Sequence, residues 1–271
     1  MYQWLRNLGS LEKLNKMQLY EDHLRALRMS DPTNLQLSGY GVFSQNDEDG
    51  ILQEIFKRIG TTNKVAVEIA AGNGIESNTH LLLQTGWQCF WYEAQLQNIS
   101  IINTHFQSWI QSKKLQVFER WISAETIEQT LSHDKVPKKF DLLSLDIDGQ
   151  EYWLWHALKK WQPRVVVVEY NGTLGPDVAF TIPRQDTFMW DQHSMYGGAS
   201  LQALTLLAKQ KGYTLVGCNY TGVNAFFVRD DLAKKHFKRN NKASLFQKPF
   251  IGGYVRSGYE RTVGAWEQIH A

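Results

Sequence analysis

The sequence is poor in features that would mark several common classes of protein. Cysteine occurs only at Cys89 and Cys218 in 271 residues. Each lies inside an apolar, strand-like run, so there is no disulfide framework, and a reducing, cytoplasmic compartment is expected. A charge imbalance is missing too: 29 Lys and Arg oppose 27 Asp and Glu, for a net charge of +2. That field is too weak to steer the chain toward nucleic acid or a membrane surface. No apolar run approaches the roughly 18 to 20 residues that span a bilayer. The opening MYQWLRNLGSLEKL is interrupted by charge too often to read as a signal peptide. Internal repeats are absent. So is Gly-x-Ser-x-Gly, which removes the hydrolase nucleophile elbow, and the histidines show no zinc-ligand spacing with cysteine. Basic residues stay dispersed until KKHFKRNNK, which reads as a solvated run, and no nucleic-acid partner is expected.

Aromatic residues, by contrast, are plentiful. Ten Trp and 13% aromatics overall serve first as core filler and also permit an aromatic-lined cleft. Leu5, Leu8, Leu11, Leu14, Leu19, Leu24 and Leu27 fall mostly three and five residues apart among charges, outlining an amphipathic helix that stops near SDPTN. Residues 1–40 are therefore read as an N-terminal helical arm or lid, through which two copies could form a homo-oligomer. From SQNDEDGILQEIFKRIG onward, apolar runs alternate with helical segments: KVAVEIA, CFWYEA, LQVFERWIS, FDLLSLDID and RVVVVEYN are the strands. Strands this uniformly apolar, separated by helices, predict an α/β fold. The expected form is a doubly wound, mostly parallel, seven-stranded Rossmann-like sheet over 41–233. YTLVGCNYTGVNAFFVRDDL closes it as an antiparallel C-terminal hairpin, and 234–271 form a basic and aromatic tail. Binding belongs at the C-terminal ends of the parallel strands.

That edge carries unusual residues. In VEIAAGNG an acidic strand residue, Glu68, precedes small residues at alternate positions, Ala70, Gly72 and Gly74. A dinucleotide fingerprint needs a third glycine where Ser77 stands, and a carboxylate at Glu68 would repel phosphate. A ligand with an ammonium or sulfonium and no phosphate suits the loop better, which describes S-adenosylmethionine. Glu93 follows Gly74 by 19 residues, close to the roughly 20 at which an acidic residue reaches ribose hydroxyls.

The layout resembles class I S-adenosylmethionine-dependent methyltransferases. Within them, SQNDEDGILQEIF, VEIAAGNGIESNTHLLLQTGW, FDLLSLDIDGQEYWLWHAL, VVVVEYN and the stretch from YGGAS to RDDL resemble the FkbM type, which acts mostly on hydroxyls of sugars and polyketide-like products. The resemblance spans about Ser44 to Leu232. It implies an O-methyltransferase with a small-molecule or glycan acceptor. Glu68 would lie near the methionine amino group, Ala70, Gly72 and Gly74 beneath the cofactor, and Glu93 on the ribose, with Gln45, Asn78, Ser123 and Asp146 as further contacts. Ala70 stands where the family has its first loop glycine, a departure that a slightly wider turn would meet. Ser44-Gln45-Asn46 reads equally as a contact to the methionine end or as a helix cap.

Methylating a hydroxyl requires a base or a cation to take up its charge. Asp146 and Asp148 end the fourth strand, and Glu169 and Asn171 are spaced identically at the end of the fifth. Their oxygens suit Mg2+ or Mn2+, with Asp146, Glu169 and Asn171 as the metal set. Tyr170 separates a pair that is adjacent in catechol-type enzymes, and Gly149 or Gln150 replaces their lysine, so Asp148 is the leading base candidate, beside Asp146. His193, in the irregular stretch before Gly198, is the rival. Two other readings stand beside this one: an NAD-dependent oxidoreductase, disfavoured by Glu68 and Ser77, and a non-catalytic scaffold that keeps the fold.

Overall fold

The computed structural model describes residues 17–238, 242–249 and 264–270. Leu5, Leu8, Leu11 and Leu14, and residues 239–241, 250–263 and 271 of the tail, lie outside the described residues. Residues 17–30 are helical (α1). There follow α2 (Glu48–Ile59), β1 (Val65–Ile69), α3 (His80–Gln84), β2 (Gln88–Glu93), α4 (Leu96–His105), α5 (Gln107–Gln111), β3 (Leu115–Glu119), α6 (Ile127–His133), β4 (Leu142–Leu145), α7 (Glu151–Ala157), β5 (Val165–Glu169) and β6 (Phe180–Thr181). The chain continues through α8 (Leu201–Lys211), β7 (Tyr213–Cys218), β8 (Asn224–Arg229), α9 (Asp230–His236), α10 (Lys242–Leu245) and β9 (Glu267–Gln268). Among the described residues no helix is long and apolar enough to cross a membrane.

Seven strands form one sheet in the order β3-β2-β1-β4-β5-β8-β7. The first five are parallel, and β8 runs antiparallel to both β5 and β7, so the expected doubly wound sheet with its closing hairpin is present. All of β1 (VAVEI) and β4 (LLSL) is buried, because helices cover both faces. Alternation along each strand feeds two cores. Val67, Ile69, Phe90, Tyr92, Leu145 and Val168 face a core completed by α6, α7 and α8. Ala66, Cys89, Trp91, Leu142 and Val167 face the other, under α2 and α3. The order reverses between β1 and β4, and the crevice of such a sheet opens there.

The opposite edge is clamped. Asp141, fully buried, accepts from the backbone of Thr62, Asn63 and Lys64 and from Arg164 Nη1 at 2.8 Å. Burial alone would raise its pKa, but Arg164 and these backbone donors hold it below the usual carboxylate range. α8 shows how locally the helices are set. Ser200 accepts from Ala203 N at its start, and Gly212, in left-handed conformation at φ 78°, ends it behind Lys209 and Lys211. Beyond the sheet, β6 and β9 pair antiparallel, which fastens part of the 234–271 tail to the stretch between β5 and α8.

Candidate functional site

Backbone geometry after β1 explains the small residues there. Ala70, Gly72 and Gly74 all have positive φ, 61°, 57° and 78°. The turn is therefore not widened to suit Ala70, as the sequence suggested. Ala70 itself adopts the left-handed conformation that favours glycine. At Gly72 an added Cβ would meet nothing within 4 Å, so this position is open toward the crevice. Gly74 differs from expectation: a Cβ there would lie 2.5 Å from Trp91 Cζ3 and 3.0 Å from Phe106 Cε2. It does not line the cavity, and its lack of a side chain serves core packing.

The two acidic residues of this edge are held by backbone donors. Glu93, buried at the end of β2, accepts from Gly72 N at 2.9 Å and Gln95 N at 2.7 Å. Glu68 accepts from Asn78 N and Thr79 N at 2.9 and 3.0 Å and from the Thr79 hydroxyl, which in turn accepts from Trp91 Nε1. Burial raises its pKa, and these hydrogen bonds pull it partly back. Asn78 adds a bond to Ser144 Oγ at 3.1 Å.

A cavity of about 520 Å³ opens over this edge. Gln45, Glu68, Ala70, Gly72, Asn78, Glu93, Ser123, Asp146 and Asp148 line it, together with Tyr92, Trp121, Phe188 and Trp190. Of the Ser44-Gln45-Asn46 segment only Gln45 reaches it. Ser44 Oγ accepts from Asp49 N in the first turn of α2, whereas Asn46 donates to the Glu48 side chain, so of its neighbours only Ser44 satisfies a helix donor. The roof comes from the stretch between β5 and α8, tied down by Trp121 Nε1 to Asp186 O and by Gln150 to Pro183 O and Gln185 N. α1 takes no part in the roof. Tyr20 and His23 pack on Tyr220, with ring centroids 4.6 and 5.0 Å apart, so the arm leans on the β7–β8 turn.

The charge of the lining is one-sided. Glu48, Glu68, Glu76, Glu93, Asp146, Asp148 and Asp186 face one cation among the described residues, Arg120. Arg120 is bonded to Asp134 at 3.0 Å.

At the β4–β5 end, carboxylate oxygens of Asp146, Asp148 and Glu169 lie within 4.8 Å of one another. Burial, and then the charge of Asp148, pushes Asp146 up to about 7. Burial and Asp146 raise Glu169 well above the usual range, and burial raises Asp148. Adjacent strands explain the grouping, since Leu145 pairs with Val168 and the next residues, Asp146 and Glu169, emerge side by side. Asp148 has φ 58°, a conformation that Asp tolerates better than most residues.

Two expected members do not join them. Asn171 donates to Met195 O and Gly197 O, each at 2.9 Å, and its oxygen accepts from Thr173 N and Oγ1. Its amide is engaged in holding the insertion and its oxygen by Thr173, while Asp148 supplies the third carboxylate of the group. His193 is exposed, with its backbone turned on Asp191, and it lines neither this cavity nor the smaller one beside it. Tyr196 donates to Ala265 O at 2.8 Å and anchors the tail.

Glu48 and Glu151 were not singled out in the sequence. Glu48, fully buried, accepts from Asn219 and Asn224 at 2.7 and 3.0 Å. Glu151 accepts from Ile147 N and Gly149 N through Oε1, while Oε2 is buried without a partner. Both open helices, and an acid in a first turn ordinarily reads as a complement to the helix dipole.

No family model matches the sequence, and neither does any curated protein. Among similar solved structures is a Staphylococcus aureus protein assigned as a caffeoyl-CoA O-methyltransferase. It is 14% identical, with 80% of this chain and 99% of that chain covered and a TM-score of 0.47. The precorrin-6y C5,15-methyltransferase of Geobacter metallireducens GS-15 is 13% identical, over 73% and 94%, at 0.41. StiE O-MT residues 961–1257 are 12% identical, over 61% of this chain, at 0.39, and the chain spans 52% of their length. At these values nothing about family, ligand or reaction follows from the likeness.

Proposed function

We propose that this chain is an S-adenosylmethionine-dependent methyltransferase of the FkbM type, acting on a hydroxyl of a sugar-like or related natural-product acceptor. The observation that carries the reading is the bond from Gly72 N to Glu93 at 2.9 Å. The backbone donor that a pyrophosphate would require is already engaged by a carboxylate, in a cavity whose described lining is predominantly acidic. An NAD-type ligand is therefore disfavoured on both counts. A phosphate-free, cationic nucleoside fits both, and about 520 Å³ lies in the usual range for cofactor sites.

Glu93 is oriented by two backbone donors and keeps lone pairs for a ribose diol. Gly72 lets a ligand lie on the loop. Glu68, Gln45 and Asp146 furnish the polar wall for an amino-acid moiety. S-adenosylmethionine, when bound, would supply a sulfonium methyl to the acceptor oxygen, its carbon–sulfur electron pair staying with sulfur and the hydroxyl proton passing to a base on the chain. Asp148 is the base in this reading. It lines the cavity, and burial raises its proton affinity, toward the range where general bases work best. Asp146, Asp148 and Glu169 also have the oxygen donors and mutual reach to hold Mg2+ or Mn2+, whose charge would offset their repulsion and favour an acceptor alkoxide.

Calorimetric titration with S-adenosylhomocysteine, set against NADH, tests the assignment. Micromolar binding of the first and none of the second is expected. The reverse, or binding of neither, would reject it.

A further inference from the structure

A second cavity, of about 110 Å³, adjoins the first, with Asp148 and Trp190 lining both. Three acids, Asp148, Glu151 and Glu169, stand among glycines and apolar residues in its lining, and no Lys, Arg or His lines it among the described residues. One of these acids is anomalous. Glu151 is fully buried, yet its Oε2 has no hydrogen-bond partner. That atom is within 3.7 Å of where a Cβ on Gly198, another lining residue, would sit. A buried carboxylate oxygen with no donor is costly unless something binds it, and Glu151 is among the residues around this cavity.

A metal ion does not answer the need. The oxygens within mutual reach belong to Asp146, Asp148 and Glu169, and an ion among them would leave Glu151 outside that set. An alkylammonium carries three diverging donors on a short stem and suits a small recess walled by several acids and by the aromatic residues Tyr170 and Trp190. We infer that the acceptor is an amino sugar or amino alcohol whose ammonium sits in this recess against Glu151 and Glu169, presenting the neighbouring hydroxyl to Asp148. The inference rests on the larger cavity being the methyl-donor site, and it names the acceptor class that the smaller one selects.

The test uses the full chain saturated with S-adenosylhomocysteine, whose own affinity is measured first. Failure at that step sinks the cofactor assignment and not the acceptor class. The complex is then titrated with methyl glucosaminide and with methyl glucoside, which lacks the amine. The expected result is tighter binding of the amine by about tenfold or more. That preference should fall to about unity in Glu169→Gln and in the isosteric Glu151→Gln, with S-adenosylhomocysteine affinity unchanged in Glu151→Gln, whose side chain does not line the larger cavity. Using both variants guards against one that misfolds. Equal affinity for the two glycosides, binding of neither at millimolar concentration, or displacement of the amine by Mg2+ would overturn the inference.

Discussion

Replacing Asp146 by Asn removes a carboxylate that the fold holds under electrostatic stress. Burial first, and the Asp148 charge second, push it from 3.8 up to about 7. Between those values the folded chain keeps a proton that the unfolded chain has released, so the free energy of unfolding falls as pH rises through this window and levels off above it. Each pKa unit is worth about 1.4 kcal/mol, so a shift of roughly three units sets a ceiling of about 4 kcal/mol. Asp146 borders an open cavity, and its titration is linked to that of Glu169; about 2 kcal/mol is the realistic expectation. Asn keeps the shape and cannot ionise. Asp146→Asn should therefore match the parent near pH 4 and exceed it by about 2 kcal/mol near pH 8. Urea unfolding followed by tryptophan fluorescence at several pH values measures this directly. Curves that stay parallel across that range, or a variant less stable at the alkaline end, would refute the electrostatic account of the cluster.

Other substitutions probe single contacts. Ala70→Gly should stabilise the chain by about 0.5–1 kcal/mol, because relief of a left-handed alanine exceeds glycine's extra unfolded freedom; a lower melting temperature would contradict this. Gly74→Ala should destabilise by roughly 2–4 kcal/mol through overlap with Trp91, read as a lower urea midpoint. Glu93→Ala should weaken S-adenosylhomocysteine binding about 10- to 100-fold by calorimetry, as expected for charged hydrogen bonds. Asp148→Asn should lower kcat about 10²- to 10⁴-fold with cofactor affinity retained, whereas exposed His193→Ala should leave kcat unchanged; the opposite pattern would move the base to the insertion.

How far the site could be read from sequence depended on whether neighbours in space were also fixed by topology. Uniformly apolar strands separated by helices dictated a parallel sheet, and a parallel sheet brings the residues after β4 and β5 to one edge. Asp146 and Glu169 thus met without any knowledge of their side chains. Glu93 was legible for the same reason, as one turn and one strand fix its distance from the glycine loop. Asn171 was not. It has the same spacing as Asp148, but its amide is claimed by Met195 and Gly197, over 20 residues further along an irregular stretch with no period. Gly74 was misread because a glycine required by Trp91 across the core looks, in one dimension, like a glycine required by a ligand. Glu151 was hidden by a competing local rule, since acids in first helical turns are ordinary and only the buried, unpartnered Oε2 makes this one exceptional.

The two ends of the cavity obey different electrostatic rules, and catalysis would need both. At the Glu93 end each carboxylate oxygen already accepts a backbone donor, so the recognition geometry exists before any ligand arrives and little ordering is required on binding. At the Asp146 end the acids repel one another and share protons instead. A sulfonium donor is most cationic before transfer and loses that charge as the methyl group leaves. A fully ionised cluster would therefore stabilise the bound donor more than the transition state, and so raise the barrier. Raised proton affinities at Asp146, near 7, and at Glu169 would limit the net negative charge facing a bound sulfonium, and Asp148 would be the acceptor for the hydroxyl proton. On this reasoning the stability lost to the cluster reflects its tuning. A variant that lowered these proton affinities, for example by placing a lysine beside Glu169, should bind S-adenosylhomocysteine as before and turn over more slowly.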